Sequence, residues 1–316
     1  MLDDRGSDLE LRGDLAADLS RVRGLYWSCY EKKQALAISR DAQVRAAKVL
    51  EKEQVRYRIG EAAAIDTLSA TLERLKAVQS VLGDSVALTL VRNELARALM
   101  LPADSVVVPD SIAVTLTDLP PADQLIASAK DYDPQLRIFD LLREKLTLQL
   151  RDNRNDLLPQ VDLSASYTYN DALSDNGGLL DNSVISLILG YSLPTKGRRI
   201  AGAKTRLSLR QNELQTAERR FELRNSVEEL INNWDLERRK LSVSATSRDV
   251  ARKYLESATK GLDVGTVDNL TYLDAQEDYV TEEVRYLRQQ ITLKRLEIVF
   301  DEITGKVLSR FGVVIQ

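Results

Sequence analysis

The chain of 316 residues contains no histidine and only one cysteine, Cys29. The absence of histidine removes the most common general base, the most common metal ligand and the side chain that ordinarily titrates near neutral pH. A single cysteine can form neither an internal disulfide nor a thiolate metal cluster. The sequence therefore predicts no catalytic residue, no cofactor and no metal site, and Cys29 is expected to be an inert thiol on a helix.

Long apolar runs are also lacking. No segment approaches the roughly 18 consecutive apolar residues of a transmembrane helix, and residues 1–12 are too polar for a secretory signal. The net charge of −4 comes from 44 basic and 48 acidic residues, which argues against a nucleic-acid-binding protein because such proteins usually have a basic face. Taken alone, these features suggest a cytosolic protein, but the middle of the chain suggests otherwise.

Proline is confined to one part of the chain, since all seven prolines fall between Pro102 and Pro194. The proline-free front predicts helices over residues 8–58 and 62–99, separated by a turn at Gly60. The proline-free back predicts a helix over residues 203–260, a turn through residues 261–265 and a final helix that ends near Lys306. At 1.5 Å per residue, the helix over residues 203–260 has a length of roughly 85 Å.

One helical pattern occurs twice, 205 positions apart, and the same offset relates Gly60 to Gly265 and Ala70 to Ala275. Five apolar positions of the first copy recur as apolar positions in the second: Ile65, Leu68, Leu75, Leu82 and Val86 recur as Leu270, Leu273, Val280, Leu287 and Ile291. Their intervals combine steps of three, four and seven, which is typical of a coiled-coil seam. The duplication predicts two equivalent helical hairpins packed around a common axis.

The middle of the chain predicts short extended segments at residues 106–108 and 112–116. A helix over residues 134–158 follows, with Asp133 as its capping residue and Pro159 at its end. Two runs then alternate apolar and polar residues on either side of a link at residues 171–182. The apolar positions are Val161, Leu163, Ala165, Tyr167 and Tyr169 in the first run, and Ile185, Leu187, Leu189, Tyr191 and Leu193 in the second.

Each run is about 11 residues long, close to the ~10-residue strands with one apolar face that build transmembrane barrels. Tyrosines at the strand ends fit an interfacial aromatic girdle. The same alternation is equally typical of an amphipathic hairpin packed on the helices of a soluble protein. The alternation alone leaves both interpretations open.

Several motifs in a fixed order resemble the TolC-like outer membrane efflux family over almost the whole chain. They are Asp133-Pro134-Gln135-Leu136 at a helix start, Leu157-Leu158-Pro159-Gln160-Val161 before a strand, Leu193-Pro194 followed by Lys196-Gly197-Arg198-Arg199, and Gly265 with Leu273-Asp274-Ala275-Gln276. The last motif is echoed in the first copy by Gly60, Leu68 and Ala70.

The resemblance implies a mainly α fold with a small β part. Long antiparallel coiled-coil helices form a periplasmic tunnel, and the amphipathic hairpin contributes to a trimeric barrel in the outer membrane. The residues expected to face lipid are Val161, Leu163, Ala165, Tyr167, Tyr169, Ile185, Leu187, Leu189 and Tyr191. A twin of the strand pair at residues 160–193 falls before Met1, so the chain resembles a member without its first strand pair and export signal. Whether one strand pair closes a barrel stays open, because exposed sheet edges leave backbone groups unpaired in lipid.

The expected domains are a first coiled hairpin (1–101), a connecting region with a helix (102–158), the barrel hairpin (159–195), a second coiled hairpin (196–308) and a tail (309–316). The resemblance implies a passive exit duct of a tripartite efflux or type I secretion system, and not an enzyme. Its partners are two further copies in a homotrimer, a periplasmic adaptor protein, an inner-membrane transporter and outer membrane lipid.

Two sites follow from the resemblance. Asp274 matches an aspartate of the channel gate, while Thr271 occupies the companion position; Asp66 stands at the equivalent of Thr271 in the first copy. The alternative for Asp274 is a solvated residue on an outer helix face. Adaptor docking is expected at the two turns, at Ile59, Gly60, Val264, Gly265 and Thr266. Glycine in these turns is equally explained by the turn geometry itself.

A soluble coiled-coil scaffold or a periplasmic adaptor is the alternative function. Adaptors usually add lipoyl-like and barrel-like β domains, for which this chain has no room. An enzyme is the least favoured class, because the many carboxylates are spread along helix faces and form no recognisable acid and base pair.

Overall fold

The computed structural model describes residues 2–102, 109, 118–155, 158, 160–170, 180–190 and 196–313. Side chains are described for these residues except 2–10, 198, 199 and most of the two strands. The elements are α1 (Leu2–Arg58), α2 (Ala64–Ala98), α3 (Ala122–Tyr132), α4 (Pro134–Asn155), β1 (Gln160–Asn170), β2 (Leu180–Gly190), α5 (Lys196–Val264), α6 (Asn269–Ile303) and α7 (Lys306–Arg310).

The four long helices predicted from the proline-free regions are confirmed as α1, α2, α5 and α6. The helix before the strands begins at Pro134 as predicted, but it ends at Asn155, before Leu158. The first long back helix begins at Lys196, earlier than the predicted residue 203, so the basic run at residues 196–199 is its first turn. Helices α3 and α7 were not predicted, because both are short and lie next to regions expected to be extended or to form a tail. The segments at residues 106–108 and 112–116 lie outside the described residues.

One compact unit contains residues 134–222 and the first six residues of the chain. It includes α4, the two strands and the first part of α5. Asn153 on α4 donates a hydrogen bond from Nδ2 to Thr205 Oγ1 on α5 at 3.1 Å. The strands β1 and β2 pair antiparallel over 11 residues each, so the predicted hairpin is present.

The register of this hairpin brings predicted apolar positions together. Val161 pairs with Leu189, Leu163 with Leu187 and Ala165 with Ile185, and directly opposed residues lie on the same face of an antiparallel pair. The two tyrosines of β1 do not pair with predicted apolar positions of β2, because Tyr167 pairs with Ser183 and Tyr169 with Asp181. Strand β2 begins at Leu180, earlier than predicted, and Tyr191 and Leu193 lie outside the described residues.

The second compact unit contains residues 7–133 and 223–316. It holds two helical hairpins, one made of α1 and α2 and the other of α5 and α6, together with α3 and α7. Helix α3 packs through Leu125 and Ala129 in a cluster with Trp234 and Phe300, whose rings meet edge to face at 5.9 Å. Cys29 is buried with Leu36, Leu88 and Leu95 between α1 and α2, and burial raises the pKa of its thiol.

The duplication is visible in the backbone. Helices α2 and α6 each have 35 residues, and both their first and their last residues are 205 positions apart. Gly60 precedes α2 with φ of +80° and Gly265 precedes α6 with φ of +78°. The helices end at equivalent left-handed residues, Met100 with φ of +53° and Gly305 with φ of +69°.

The apolar stripe of the two copies differs in burial. We define the α2 seam as the residues Ile65, Leu68, Leu72, Leu75, Leu82 and Val86. All six side chains are more than half exposed. In α6, by contrast, Leu287 and Ile291 are buried against Tyr30 of α1. The later positions of the pattern are therefore covered in α6 and exposed in α2, whereas at its first position Leu270 is exposed like Ile65.

Among the described residues, no helix is both long enough and apolar enough to cross a membrane.

Candidate functional site

The two helical hairpins end in turns that have closely similar backbone conformations. We call residues 59–63 the first tip and residues 264–268 the second tip. In the first tip, the Glu61 amide donates to the Arg56 carbonyl at 2.8 Å, and in the second the Thr266 amide donates to the Gly261 carbonyl at 2.8 Å. Positive φ at Gly60 and Gly265 suits glycine because a side chain is strained there. The predicted turn role of both glycines is thus observed in the backbone.

A single apolar cluster lies beneath the tips, and we call it the tip core. All four long helices contribute to it. Its members are Val49, Leu50, Ala70, Leu255, Ala258, Leu262, Tyr272 and Ala275. Since every helix near the tips buries side chains in this cluster, the packing of one hairpin end is coupled to that of the other.

The predicted docking residues lie at the outer end of this assembly. Ile59 is 62% exposed and Val264 is 74% exposed. An exposed branched apolar side chain on each tip is a feature that a protein partner can bury. The structure brings both turns to the same end of the unit through the tip core, and it leaves their apolar side chains accessible.

The predicted gate residues lie one helical turn apart on α6. Asp274 is exposed, whereas its neighbours Ala275 and Gln276 are buried. The amide of Thr271 donates to Asp268 Oδ1 at 2.9 Å, which makes Asp268 the N-cap of α6. Hydrogen bonds from Thr271 lower the pKa of Asp268. Thr271 is therefore part of a helix cap, and Asp274 is the charged member of the predicted pair.

The first copy caps its helix in another way. Asp66, which stands at the position equivalent to Thr271, accepts a hydrogen bond at Oδ2 from the Ala63 amide at 3.1 Å. An acidic side chain in the first turn satisfies a free amide and interacts favourably with the helix dipole. Each copy thus places one carboxylate at the start of its helix, at Asp66 in the first and at Asp268 in the second.

Two polar contacts tie the hairpins together near the tips. Asn269 is 4% exposed, and its Nδ2 donates to the Asp66 carbonyl at 3.3 Å and to Ser69 Oγ at 3.2 Å. Lys52 donates from Nζ to the Leu262 carbonyl and to Asp263 Oδ1, both at 2.9 Å. Neither Asn269 nor Lys52 was predicted from the sequence.

A signal for Asn269 was present in the duplication. The equivalent residue in the first copy is Ala64, so the two copies differ in polarity at this position. A polar residue that replaces an apolar one in a repeat marks a contact that only one copy makes.

A buried polar pair includes one member of the tip core, Tyr272. Tyr272 donates from its hydroxyl to Gln276 Oε1 at 3.1 Å, and both side chains are buried. Burial raises the pKa of Tyr272. Nearby, the Arg45 guanidinium lies 5.6 Å from the centre of the Tyr279 ring. The Gln276 found in the hairpin motif therefore has a structural role in the interior of the helix bundle.

The residues predicted to face lipid are only partly described. Ala165 is exposed in β1. Tyr191 lies outside the described residues. For the other seven the backbone follows the register given above: Val161, Leu163, Tyr167, Tyr169, Ile185, Leu187 and Leu189.

A family model for outer membrane efflux proteins matches residues 125–305, more than half of the chain. The chain belongs to the outer membrane efflux protein family. Members of this TolC-like family are outer membrane channels and not enzymes, so the protein is an efflux channel of the outer membrane. Among curated proteins, none matches the chain in sequence.

Solved structures share the fold at low sequence identity. A membrane protein from Pseudomonas aeruginosa has 16% identity and a TM-score of 0.74, with 95% of this chain and 68% of that chain covered. The outer membrane protein VceC from Vibrio cholerae has 16% identity and a TM-score of 0.70, with 95% and 74% covered. CusC has 12% identity and a TM-score of 0.74, with 96% and 71% covered. These similarities establish the fold of the chain.

Proposed function

We propose that this efflux channel works as a homotrimeric exit duct of a tripartite efflux or type I secretion system, with its helical part in the periplasm. In this proposal the duct is passive, and a periplasmic adaptor and an inner-membrane transporter deliver the cargo. The α2 seam carries the proposal. Its apolar residues repeat with heptad spacing along α2 and are more than half exposed among the described residues of the chain, which favours a neighbouring chain as their partner.

A second copy of the chain offers a suitable surface. A groove of about 600 Å³ on α5 and α6 is lined by Val243, Val250 and Tyr254 together with the acidic Asp278 and Glu282. Its apolar floor matches the α2 seam, and its acidic edge matches two basic residues of α2, Arg74 and Lys76. Docking of α2 into the groove of a neighbour is heterologous, so three such contacts close a ring.

The strand pair supplies the proposed membrane part. Pairing of Val161 with Leu189, Leu163 with Leu187 and Ala165 with Ile185 gives one face of the hairpin three consecutive apolar pairs. Such a face suits hydrocarbon, and its polar opposite suits an aqueous pore. In the trimer we expect this face to contact outer membrane lipid.

Recovery of the protein from cell fractions tests the assembly. We expect the wild-type chain in the outer membrane as a trimer that is extracted only by detergent. The double variant Leu68→Asp, Leu75→Asp places charge on the α2 seam and should shift the protein to monomers. Arg97→Asp, on the same helix beyond the seam, serves as the matched control and should leave the trimer intact.

Two results contradict this proposal. Recovery of the wild-type chain as a soluble species without detergent favours the scaffold alternative. A trimer that persists in the double variant removes the α2 seam from the interface.

We propose Asp274 as the gate residue, with Thr271 beside it. Three copies of an exposed carboxylate in a narrow bore attract cations and oppose close approach of the helices. Asp274→Ala should change cation selectivity or raise conductance in planar bilayers. Glu277→Ala, an exposed carboxylate on the same helix, is the control, and an equal response of both variants assigns Asp274 to an outer face.

We propose the tips as the adaptor docking sites, with Ile59, Gly60, Val264, Gly265 and Thr266 as contact residues. The exposed Ile59 and Val264 support this role. A bulky replacement at Gly265 that preserves the trimer but abolishes adaptor binding supports docking. Loss of both properties assigns Gly265 to turn geometry alone.

A further inference from the structure

The two tips share a backbone conformation but differ in the chemistry beneath the turn. In the first tip, Arg56 donates from Nη1 to both carboxylate oxygens of Glu53, at 3.1 and 3.4 Å, and from Nη2 to the carbonyl of Glu61 at 3.4 Å. The Glu53 side chain is fully buried. One guanidinium therefore connects a buried carboxylate in α1 to the far side of the turn.

The second tip has no counterpart of this arrangement. At the offset of 205, Glu53 corresponds to Ala258 and Arg56 corresponds to Gly261. The Gly261 carbonyl accepts from the amides of Thr266 and Val267 at 2.8 and 3.2 Å. A Cβ on Gly261 would lie 2.4 Å from Val267 Cγ2, so the valine side chain occupies the space that a side chain at residue 261 needs. This turn is closed by backbone hydrogen bonds and apolar contact.

The second tip is contacted by a charged residue of the other hairpin. Lys52 of α1 binds the Leu262 carbonyl and the Asp263 carboxylate at the end of α5. A cation at a helix C-terminus satisfies a free carbonyl and interacts favourably with the helix dipole. Lys52, Glu53 and Arg56 lie within five consecutive residues of α1, so one turn of this helix contacts both tips.

We propose that Lys52, Glu53 and Arg56 are positioning residues that hold the two tips by separate electrostatic ties. Glu53 and Arg56 order the first tip, and Lys52 orders the second. The inference rests on the proposed docking role of the tips, because ordered turns present Ile59 and Val264 in fixed positions to the adaptor. A partner that engages both tips therefore meets two turns that share the tip core but are each held by an electrostatic contact of their own.

Burial predicts that the two ties respond differently to salt. The carboxylate of the first tie, on Glu53, is fully buried, whereas that of the second, on Asp263, is 65% exposed; their partners Arg56 and Lys52 are about equally exposed, at 30% and 31%. Screening acts strongly on exposed charges and weakly on buried ones. A rise in sodium chloride to about 1 M, where the Debye length is about 3 Å, should loosen the second tip more than the first.

Hydrogen exchange measured by mass spectrometry on the purified full-length protein tests the assignment without any adaptor. Failure of the test is thus distinct from failure of adaptor docking. For Glu53→Gln, we expect the peptide that contains Glu61 to exchange at least tenfold faster, and the peptide that contains Thr266 to change less than twofold. For Lys52→Met, we expect the reverse pattern.

Two further variants control for general loss of structure. Arg56→Met should reproduce the effect of Glu53→Gln at the first tip. Arg56→Lys keeps the charge next to Glu53 but lacks the fork that also reaches the Glu61 carbonyl, so its exchange rate should lie between wild type and Arg56→Met. The peptide around Trp234, which lies in a different cluster, should exchange at the wild-type rate in every variant.

Equal acceleration at both tips in either Glu53→Gln or Lys52→Met overturns the proposal, because it shows that the tips are not held separately. Unchanged exchange at Glu61 in both Glu53→Gln and Arg56→Met overturns it as well.

Discussion

The two helical hairpins share one sequence pattern but differ in how they bury it. One hairpin is made of α1 and α2, and the other of α5 and α6. Their second helices have equal length, equivalent turns and the same heptad spacing. Yet Val86 in α2 is 61% exposed, and its equivalent Ile291 in α6 is fully buried. A duplicated seam therefore does not imply duplicated packing, because each copy has different neighbours.

The neighbours explain the difference. In α6, Ile291 and Leu287 pack against Tyr30 of α1, with Trp27 and Ile38 at the edge of the cluster. Among the described residues, none covers the α2 seam in this way, and α2 buries a different face through Leu88 and Leu95 against Cys29 and Leu36. The later part of the pattern therefore stabilises the chain itself in α6, while in α2 it is exposed.

The largest effect is expected at Ile291 and Val86, the equivalent residues that differ most in burial. Ile291→Ala removes a fully buried side chain and should cost about 2–5 kcal/mol of the free energy of unfolding. Val86→Ala removes an exposed one and should change the stability of the monomer by less than about 0.5 kcal/mol. Urea unfolding of the monomer in detergent, followed by circular dichroism, measures both. Similar losses in the two variants contradict the burial difference.

The next effect concerns the left-handed residues that end α2 and α6. A Cβ at Gly305 would lie 2.0 Å from the ring of Tyr132, at a φ of +69°. Gly305→Ala should therefore destabilise the protein by roughly 2–4 kcal/mol, from the left-handed strain and the overlap together. Thermal unfolding measures the loss. In a Tyr132→Ala background, which lacks the overlapping ring atoms, Gly305→Ala should cost less, and an equal cost in both backgrounds argues against the overlap.

A smaller effect of opposite sign is expected in the other copy. Met100 adopts φ of +53° without the freedom of glycine, while Leu101 donates its amide to the Ala96 carbonyl at 2.9 Å to complete the helix end. Met100→Gly should stabilise the protein by about 0.5–1 kcal/mol, because it removes the strain at some entropic cost. Met100→Ala keeps the strain and should bring no such gain in the same unfolding assay.

The smallest expected effect is a pH-dependent contribution of Asp268, the N-cap of α6, to the stability of the fold. Since hydrogen bonds from Thr271 lower the pKa of Asp268 in the folded state below its usual value of 3.8, the cap stabilises the fold above that value. This contribution is lost as pH falls through the folded pKa. Asp268→Asn keeps a capping side chain without the charge, so wild type should lose its stability advantage over this variant in acid. A stability difference that does not change with pH contradicts the assignment.

Much of the fold could be predicted from local sequence. Seven prolines in one region marked where long helices are interrupted, and heptad spacing marked the helices themselves. Alternation from Val161 to Tyr169 correctly predicted β1, since a period of two is visible within one strand. The strand β2 was placed too far along the chain, because Ile188 and Val184 interrupt its alternation and weaken the signal that fixes a boundary.

The candidate site was less predictable. Gly60 and Gly265 were found because a turn with positive φ selects glycine. Lys52, Arg56 and Asn269 were missed, because each bonds to a group that lies on another helix or across a turn. Glu53 pairs with Arg56 three residues on in the same helix, but that spacing does not reveal that Glu53 is buried. The difference between these residues and the equivalent residues of the other copy was a second signal, and its meaning depends on the contacts.

The four long helices, the two turns and the strand pair could be read from the sequence, because each depends on the spacing of residues along a short stretch of chain. The 205-residue repeat could be read as well, because both copies keep the same spacing. Tertiary structure alone decided which copy of the seam is covered. Val86 and Ile291 are both branched apolar residues in equivalent helices, and their transfer from water is favourable in either case. Ile291 is buried because Tyr30, which is 261 residues away in the chain, lies against it, whereas no described residue of the chain covers Val86 in that way.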